Sequence, residues 1–96
     1  MIEVRFSDTF TEWLAGLADE RAAARVVLRI RRLEMGNAGD VKSVGDGVSE
    51  LRITYGPGYR LYFTKLGREV VMLLCGGEKS SQRRDIALAK RMVKEL

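Results

Sequence analysis

Two short runs of alternating residues, joined by Gly56-Pro57-Gly58, restrict this chain more than any other feature. Leu51, Ile53 and Tyr55 alternate with Glu50, Arg52 and Thr54; beyond the turn, Tyr59, Leu61 and Phe63 alternate with Arg60 and Tyr62. A period of two belongs to a strand packed on one face, because successive side chains leave opposite faces of the pleat. Gly-Pro-Gly supplies the unusual backbone angles of a tight connection, so the two runs are expected to form a hairpin. Its outward face would carry Glu50, Arg52, Arg60 and Tyr62. Basic and aromatic groups on one sheet face suit a phosphodiester and a stacked base, which makes RNA the first substrate to consider. The solvated face of an antiparallel sheet gives the same pattern.

The remaining elements follow from period and punctuation. Ile2, Val4 and Phe6 read as a first strand. Ser7 or Asp8 can cap a helix bearing Phe10, Trp13, Leu14 and Leu17, and Asp19 can cap a second. That second helix sets Ala23, Val26, Val27, Ile30 and Leu33 on one stripe and Arg21, Arg25, Arg29 and Arg32 on another, and Gly36-Asn37 stops it. Residues 36–47, rich in Gly, Asp and Asn, read as a loop. Glu69 to Cys75 is apolar without alternation, as expected of a strand covered on both faces. Ser80 or Ser81 can cap a last helix carrying Ile86, Ala89, Met92 and Val93. The expected fold is α+β, one domain over residues 1–96. It has a small twisted antiparallel sheet of about four strands, with two N-terminal helices and one C-terminal helix packed on one face.

Charge sharpens the functional reading. Residues 49–96 carry ten Lys and Arg against five Asp and Glu, whereas residues 1–48 carry seven against eight. The excess falls in the half that holds the basic strands, which favours a polyanionic partner. The chain has one cysteine and no histidine, which argues against a disulfide framework, a zinc site or histidine catalysis. No metal or other cofactor is expected. No leader segment is visible at Met-Ile-Glu-Val-Arg, and the apolar run Val70–Cys75 is too short to cross a bilayer, so a cytoplasmic protein without membrane contact is expected.

An ordered set of motifs across nearly the whole chain resembles the RelE/ParE superfamily of toxins from bacterial toxin–antitoxin modules. Within it, the set looks most like the addiction-module killer or HigB-like branch. The set comprises Trp13-Leu14 with Leu17, Gly36-Asn37-Ala38-Gly39-Asp40, Gly47-Val48-Ser49-Glu50-Leu51-Arg52, Gly58-Tyr59-Arg60-Leu61-Tyr62-Phe63, Leu73 to Gln82, and Asp85-Ile86. The resemblance implies a RelE-like fold and a growth-arresting endoribonuclease that cuts mRNA on the ribosome. It also implies a helix-turn-helix, HigA-like antitoxin as partner. By position, Arg60 matches the arginine after Gly-Tyr, Arg52 an outward lysine on the preceding strand, and Lys79 a further arginine. The family's aromatic hydroxyl near the last helix has no counterpart, and Asp85 stands there instead.

Without histidine or a metal cluster, the accessible chemistry is attack by the RNA's own 2′-hydroxyl on the adjacent phosphate. Arg60 suits the growing charge because a guanidinium binds two phosphate oxygens and stays ionised. Arg52 and Lys79 would hold the same or neighbouring phosphates. Glu50 could accept the 2′-hydroxyl proton or simply pair with an arginine. Tyr62 could stack a base or donate a proton, while Gln82 could read a base edge, or with Asp85 cap the helix. The arginine stripe is either a solvated face or a contact to RNA or an acidic partner, with Arg25 and Arg29 as candidate antitoxin contacts. Trp13 reads as a core residue or a partner anchor. Two other functions remain open: a ParE-like poison that binds DNA gyrase without catalysis, and a degenerate toxin acting only in a repressor complex with its antitoxin.

Overall fold

A computed structural model describes residues 1–96, and no helix in it is long and apolar enough to cross a membrane. The chain runs β1 (Glu3–Phe6), α1 (Asp8–Ala15), α2 (Glu20–Glu34), β2 (Val41–Gly45), β3 (Val48–Ile53), β4 (Tyr59–Gly67), β5 (Val70–Glu78), a single 3-10 turn (Lys79–Ser81) and α3 (Gln82–Lys94). The strands form one sheet in the order β1-β5-β4-β3-β2, with β1 parallel to β5 and every other pair antiparallel. The α+β class and the three helices match expectation. The sheet has five strands rather than about four and is mixed rather than wholly antiparallel.

The extra strand is β2, inside the segment read as a loop. Asp46 and Gly47 both have positive φ, 53° and 78°, which is the geometry of a two-residue hairpin turn matched to strand twist. That Asp-Gly pair between Val44 and Val48 carried a hairpin signal which the surrounding glycines obscured.

The helices are also divided between the two faces, which corrects the one-face expectation. α1 and α2 cross from β1 at one edge to β2 at the other. They bury Phe10, Val26, Ile30 and Leu33 against Leu51, Ile53, Tyr59, Leu61, Phe63, Val71 and Leu73. Ser7 starts α1 by accepting from the Phe10 amide at 3.0 Å, and Asp19 starts α2 by accepting from the Arg21 and Ala22 amides. On the opposite face α3 sets Ala89 over Val48, Tyr62, Leu74 and Cys75. A β-bulge makes this second core possible. Tyr62 pairs with Cys75 and Phe63 with Leu73, so Leu74 is an extra residue and both Leu74 and Cys75 reach the α3 side. The bulge also explains why β5 lacks alternation.

Past the bulge the sides of β5 exchange, and two glycines use the change. A Cβ on Gly76 would lie 2.4 Å from the Trp13 ring; one on Gly77 would lie 1.8 Å from Oδ2 of Asp85. Glycine at both positions lets α1 and α3 close on the end of β5 from opposite sides.

Candidate functional site

Arg52 and Arg60 are direct partners in the β3–β4 ladder, on the face that α3 partly covers. Like charges directly opposite across a strand pair are destabilising. Each finds a carboxylate: Arg52 Nη2 lies 2.9 Å from Asp40 Oδ1, and Arg60 Nε lies 3.7 Å from Glu50 Oε2. Arg60 also donates from Nη1 to the Gly58 carbonyl at 3.1 Å. Lys79 arrives from the far end of β5, its amide donating to the same carbonyl at 2.8 Å. One carbonyl in the β3–β4 turn therefore fixes both Arg60 and the backbone of Lys79. With Asp40, Thr54 and Tyr59, the three basic residues line an open groove of about 350 Å³ at the end of the sheet. All three basic residues expected at the site are gathered there.

Glu50 lies beneath this groove rather than in it, fully buried. Its Oε2 accepts from Tyr62 Oη at 3.1 Å and from Gln82 Nε2 at 2.8 Å. Its Oε1 and the Arg60 Nε are buried without hydrogen-bond partners. Burial, and secondarily the Glu50 carboxylate, push the Tyr62 hydroxyl far above its ordinary value, so it stays a phenol and a donor.

The structure separates the alternatives open for four residues: Tyr62 and Gln82 lose their expected contacts to a base, while Glu50 pairs with an arginine and Asp85 takes its place at the start of α3. Tyr62 is wholly buried and offers no ring face to a base. Glu50 is not open to a 2′-hydroxyl; it holds Tyr62, Gln82 and Arg60 in place. Gln82 turns inward to Glu50, away from any base edge. Asp85 is 7% exposed, accepts from the Ser81 hydroxyl and covers Gly77, so it anchors the start of α3. The physical reason is shared: α3 packs on the sheet face expected to be outward, covering Glu50 and Tyr62 and turning its own Gln82 and Asp85 inward.

Arg25 and Arg29 stand beside the groove, and Trp13 does not. Arg29 donates from Nη1 to the Arg52 carbonyl at 2.7 Å and from Nη2 to the Ala38 carbonyl at 2.8 Å, joining α2 to β3. Burial lowers the Arg29 pKa, as does the nearby Arg32, while Asp40 opposes the shift. The Arg25 guanidinium lies 4.4 Å from the Tyr55 ring centroid. Trp13 packs on Gly76 between Phe10 and Tyr59, with centroids 5.6 and 6.3 Å away, and lines a separate depression. Asp40 and Tyr59 are the polar lining residues that the sequence did not suggest, Tyr59 being expected inward, whereas Thr54 falls in the outward set. Asp40 gave no local signal, because its pairing with Arg52 spans 12 positions and depends on β2.

Together these features define a small α+β protein with a basic groove where its central strands end. Residues 12–94 match the family described as "Phage derived protein Gp49-like (DUF891)", and the chain belongs to that family, which is of the RelE/addiction-module killer type. The chain is also similar to an "Uncharacterized protein" of Haemophilus influenzae, 48% identical over 95 residues that cover 99% of this chain and 96% of that one. Membership points to a toxin of a toxin–antitoxin module, and hence to an antitoxin partner.

Proposed function

We propose that this protein is a HigB-like toxin that cleaves mRNA on the ribosome without a metal, using the groove between Arg52, Arg60 and Lys79. The observation that carries the reading is the direct opposition of Arg52 and Arg60 across β3 and β4, with Lys79 lining the same groove. Opposed arginines repel one another even with a carboxylate beside each, and a bound phosphodiester would turn that repulsion into attraction.

In this reading the RNA 2′-oxygen attacks the adjacent phosphorus as the P–O5′ bond breaks, giving a 2′,3′-cyclic phosphate, and the proton lost from the 2′-hydroxyl to water is made good by water at the departing 5′-oxygen. Arg60 meets the charge growing on the phosphate oxygens, while Arg52 and Lys79 hold that phosphate or its neighbours. Glu50 acts through Arg60, fixing the guanidinium from below, so it is a positioning residue. With no carboxylate or phenol open to the groove beyond Asp40 and Tyr59, alignment of the RNA by the ribosome supplies much of the rate.

The antitoxin, in the same reading, is a helix-turn-helix, HigA-like protein that covers the outer face of α2. Support comes from Leu28 and Val27, 57% and 41% exposed, which flank basic side chains and offer apolar anchor points. Arg29, committed to two backbone carbonyls, contributes little to that face.

Induction without the antitoxin, followed by pulse labelling, tests the proposal. Incorporation of amino acids should fail first while DNA synthesis continues. DNA synthesis failing first would place the protein with the gyrase poisons, and unimpeded growth would make it a degenerate toxin.

A further inference from the structure

The arginine stripe of α2 is not a free solvated face. Arg25, Leu28, Arg29 and Arg32 line a depression of about 280 Å³ together with Asp40, Arg52, Ile53 and Thr54. The last four residues also line the groove that holds Arg60 and Lys79. The two depressions are therefore halves of one channel that meet at the Arg52–Asp40 ion pair. Six cationic side chains face it and one carboxylate, Asp40, answers them.

We infer that the α2 half of this channel is a second phosphate-binding subsite, taking the backbone of the same single RNA strand beyond the phosphate held at Arg60. The inference rests on the nuclease reading for the identity of the ligand. Its geometry does not depend on that reading.

Three observations carry it. First, Arg29 is held in place by two backbone carbonyls and is not neutralised by a carboxylate, and its Nε, like that of Arg52, is buried without a partner. Holding the partly desolvated Arg29 beside three other guanidiniums is unfavourable until an anion enters. Second, four of the eight lining residues are arginines and one is a carboxylate, which suits a polyanion better than an apolar partner surface. Of the exposed apolar residues of α2, Val27 lies outside the depression and Leu28 is at its edge. Third, the Arg25 guanidinium stacked on Tyr55 gives the rim a flat cationic platform, the kind of surface on which an unpaired base rests. Tyr55 is itself steadied by donating to Asp19 at 3.2 Å.

The test compares two RNA probes with 2′-O-methyl groups, which bind but cannot be cut: a trinucleotide, and a single strand of about a dozen nucleotides. Fluorescence anisotropy at several salt concentrations gives the affinities. Arg25→Gln/Arg32→Gln is the variant of choice, because both side chains are exposed and Arg29 is left in its structural role. Unchanged thermal unfolding verifies its fold. Wild-type protein should prefer the longer strand. The variant should lose about tenfold or more of that preference, and its salt dependence for the longer strand should flatten by about one to two contacts. Its affinity for the trinucleotide should not move.

An undiminished length preference in the folded variant overturns the inference. If antitoxin binding is lost in that case, the channel belongs to the protein partner. A trinucleotide that fails to bind wild-type protein counts against the cleavage site alone. A length preference that still depends on Arg25 and Arg32 would uphold the subsite even then.

Discussion

Glu50 and Tyr62 face each other across the β3–β4 ladder, both fully buried, with the phenol donating to the carboxylate at 3.1 Å. This pair forms the floor of the candidate site, since the same carboxylate oxygen takes Gln82 and approaches Arg60. Tyr62→Phe removes one donor and leaves an acceptor in a dry environment, which costs about 1–3 kcal/mol. Urea unfolding should show that loss, and RNA cleavage should fall only modestly. Glu50→Gln keeps the shape but removes the charge beside Arg60, so cleavage should fall more than stability does. Equal effects of the two substitutions on cleavage would mean that Glu50 does not act through Arg60.

At the end of β5, adding one methyl group should separate packing from chemistry. Gly77→Ala places a Cβ 1.8 Å from Asp85 Oδ2 and 2.9 Å from Ser81 Oγ, so the buried Asp85 carboxylate must swing away and give up its bond from the Ser81 hydroxyl. A loss of about 1–3 kcal/mol, typical of overpacking, is expected in urea unfolding. Gly67→Ala, where a Cβ meets nothing within 4 Å, is the control and should be close to neutral.

Alkaline pH should weaken the fold through Cys75. Its thiol is buried under α3, and burial, with Asp85 as a secondary cause, raises it from 9.0 to about 12. The folded value lies above the unfolded one, so the stabilisation is whole below about pH 9.0 and is lost as pH rises towards about 12. The Tyr62 phenol, also raised, acts in the same direction. Thermal midpoints should be flat around neutrality and fall in strong alkali. A thiol reagent should modify Cys75 in urea and spare it in the native protein; rapid native labelling would contradict the burial.

Asp40 is the one carboxylate in the channel and competes with RNA for Arg52. Its ion pair is half exposed, so Asp40→Asn should leave stability almost unchanged. The freed guanidinium should tighten binding of single-stranded RNA and steepen its salt dependence by about one phosphate contact. Weaker binding in Asp40→Asn would show that Asp40 instead holds Arg52 in its binding position.

Much of this architecture is legible in the residues themselves. The hairpin of β3 and β4, the caps at Ser7 and Asp19, and the shared face of Arg52 and Arg60 follow from local alternation and punctuation, while Lys79 joins them through the family resemblance. Burial of Glu50 does not, because it needs Gln82, 32 positions away, and a helix on the second face. Alternation says which residues share a face; it does not say what covers that face. Val48, Tyr62 and Thr64 on the supposedly outward side were the available signal that something does. The charge count was similarly incomplete. It placed the basic excess in the second half, and the fold then brings Arg25, Arg29 and Arg32 from the first half against Arg52.

The central claim is that Arg60 stabilises the charge on a phosphate undergoing cleavage. Purified ribosomes, a defined mRNA and mapping of the new 5′ ends test it directly, with wild type, Arg60→Ala and Arg60→Lys compared after each is shown to fold. Wild type should cut within the translated region. Arg60→Ala should lose about a hundredfold or more in rate, and Arg60→Lys should be impaired as well, since an ammonium cannot make the paired contact. Cleavage at the wild-type rate by folded Arg60→Ala would contradict the account.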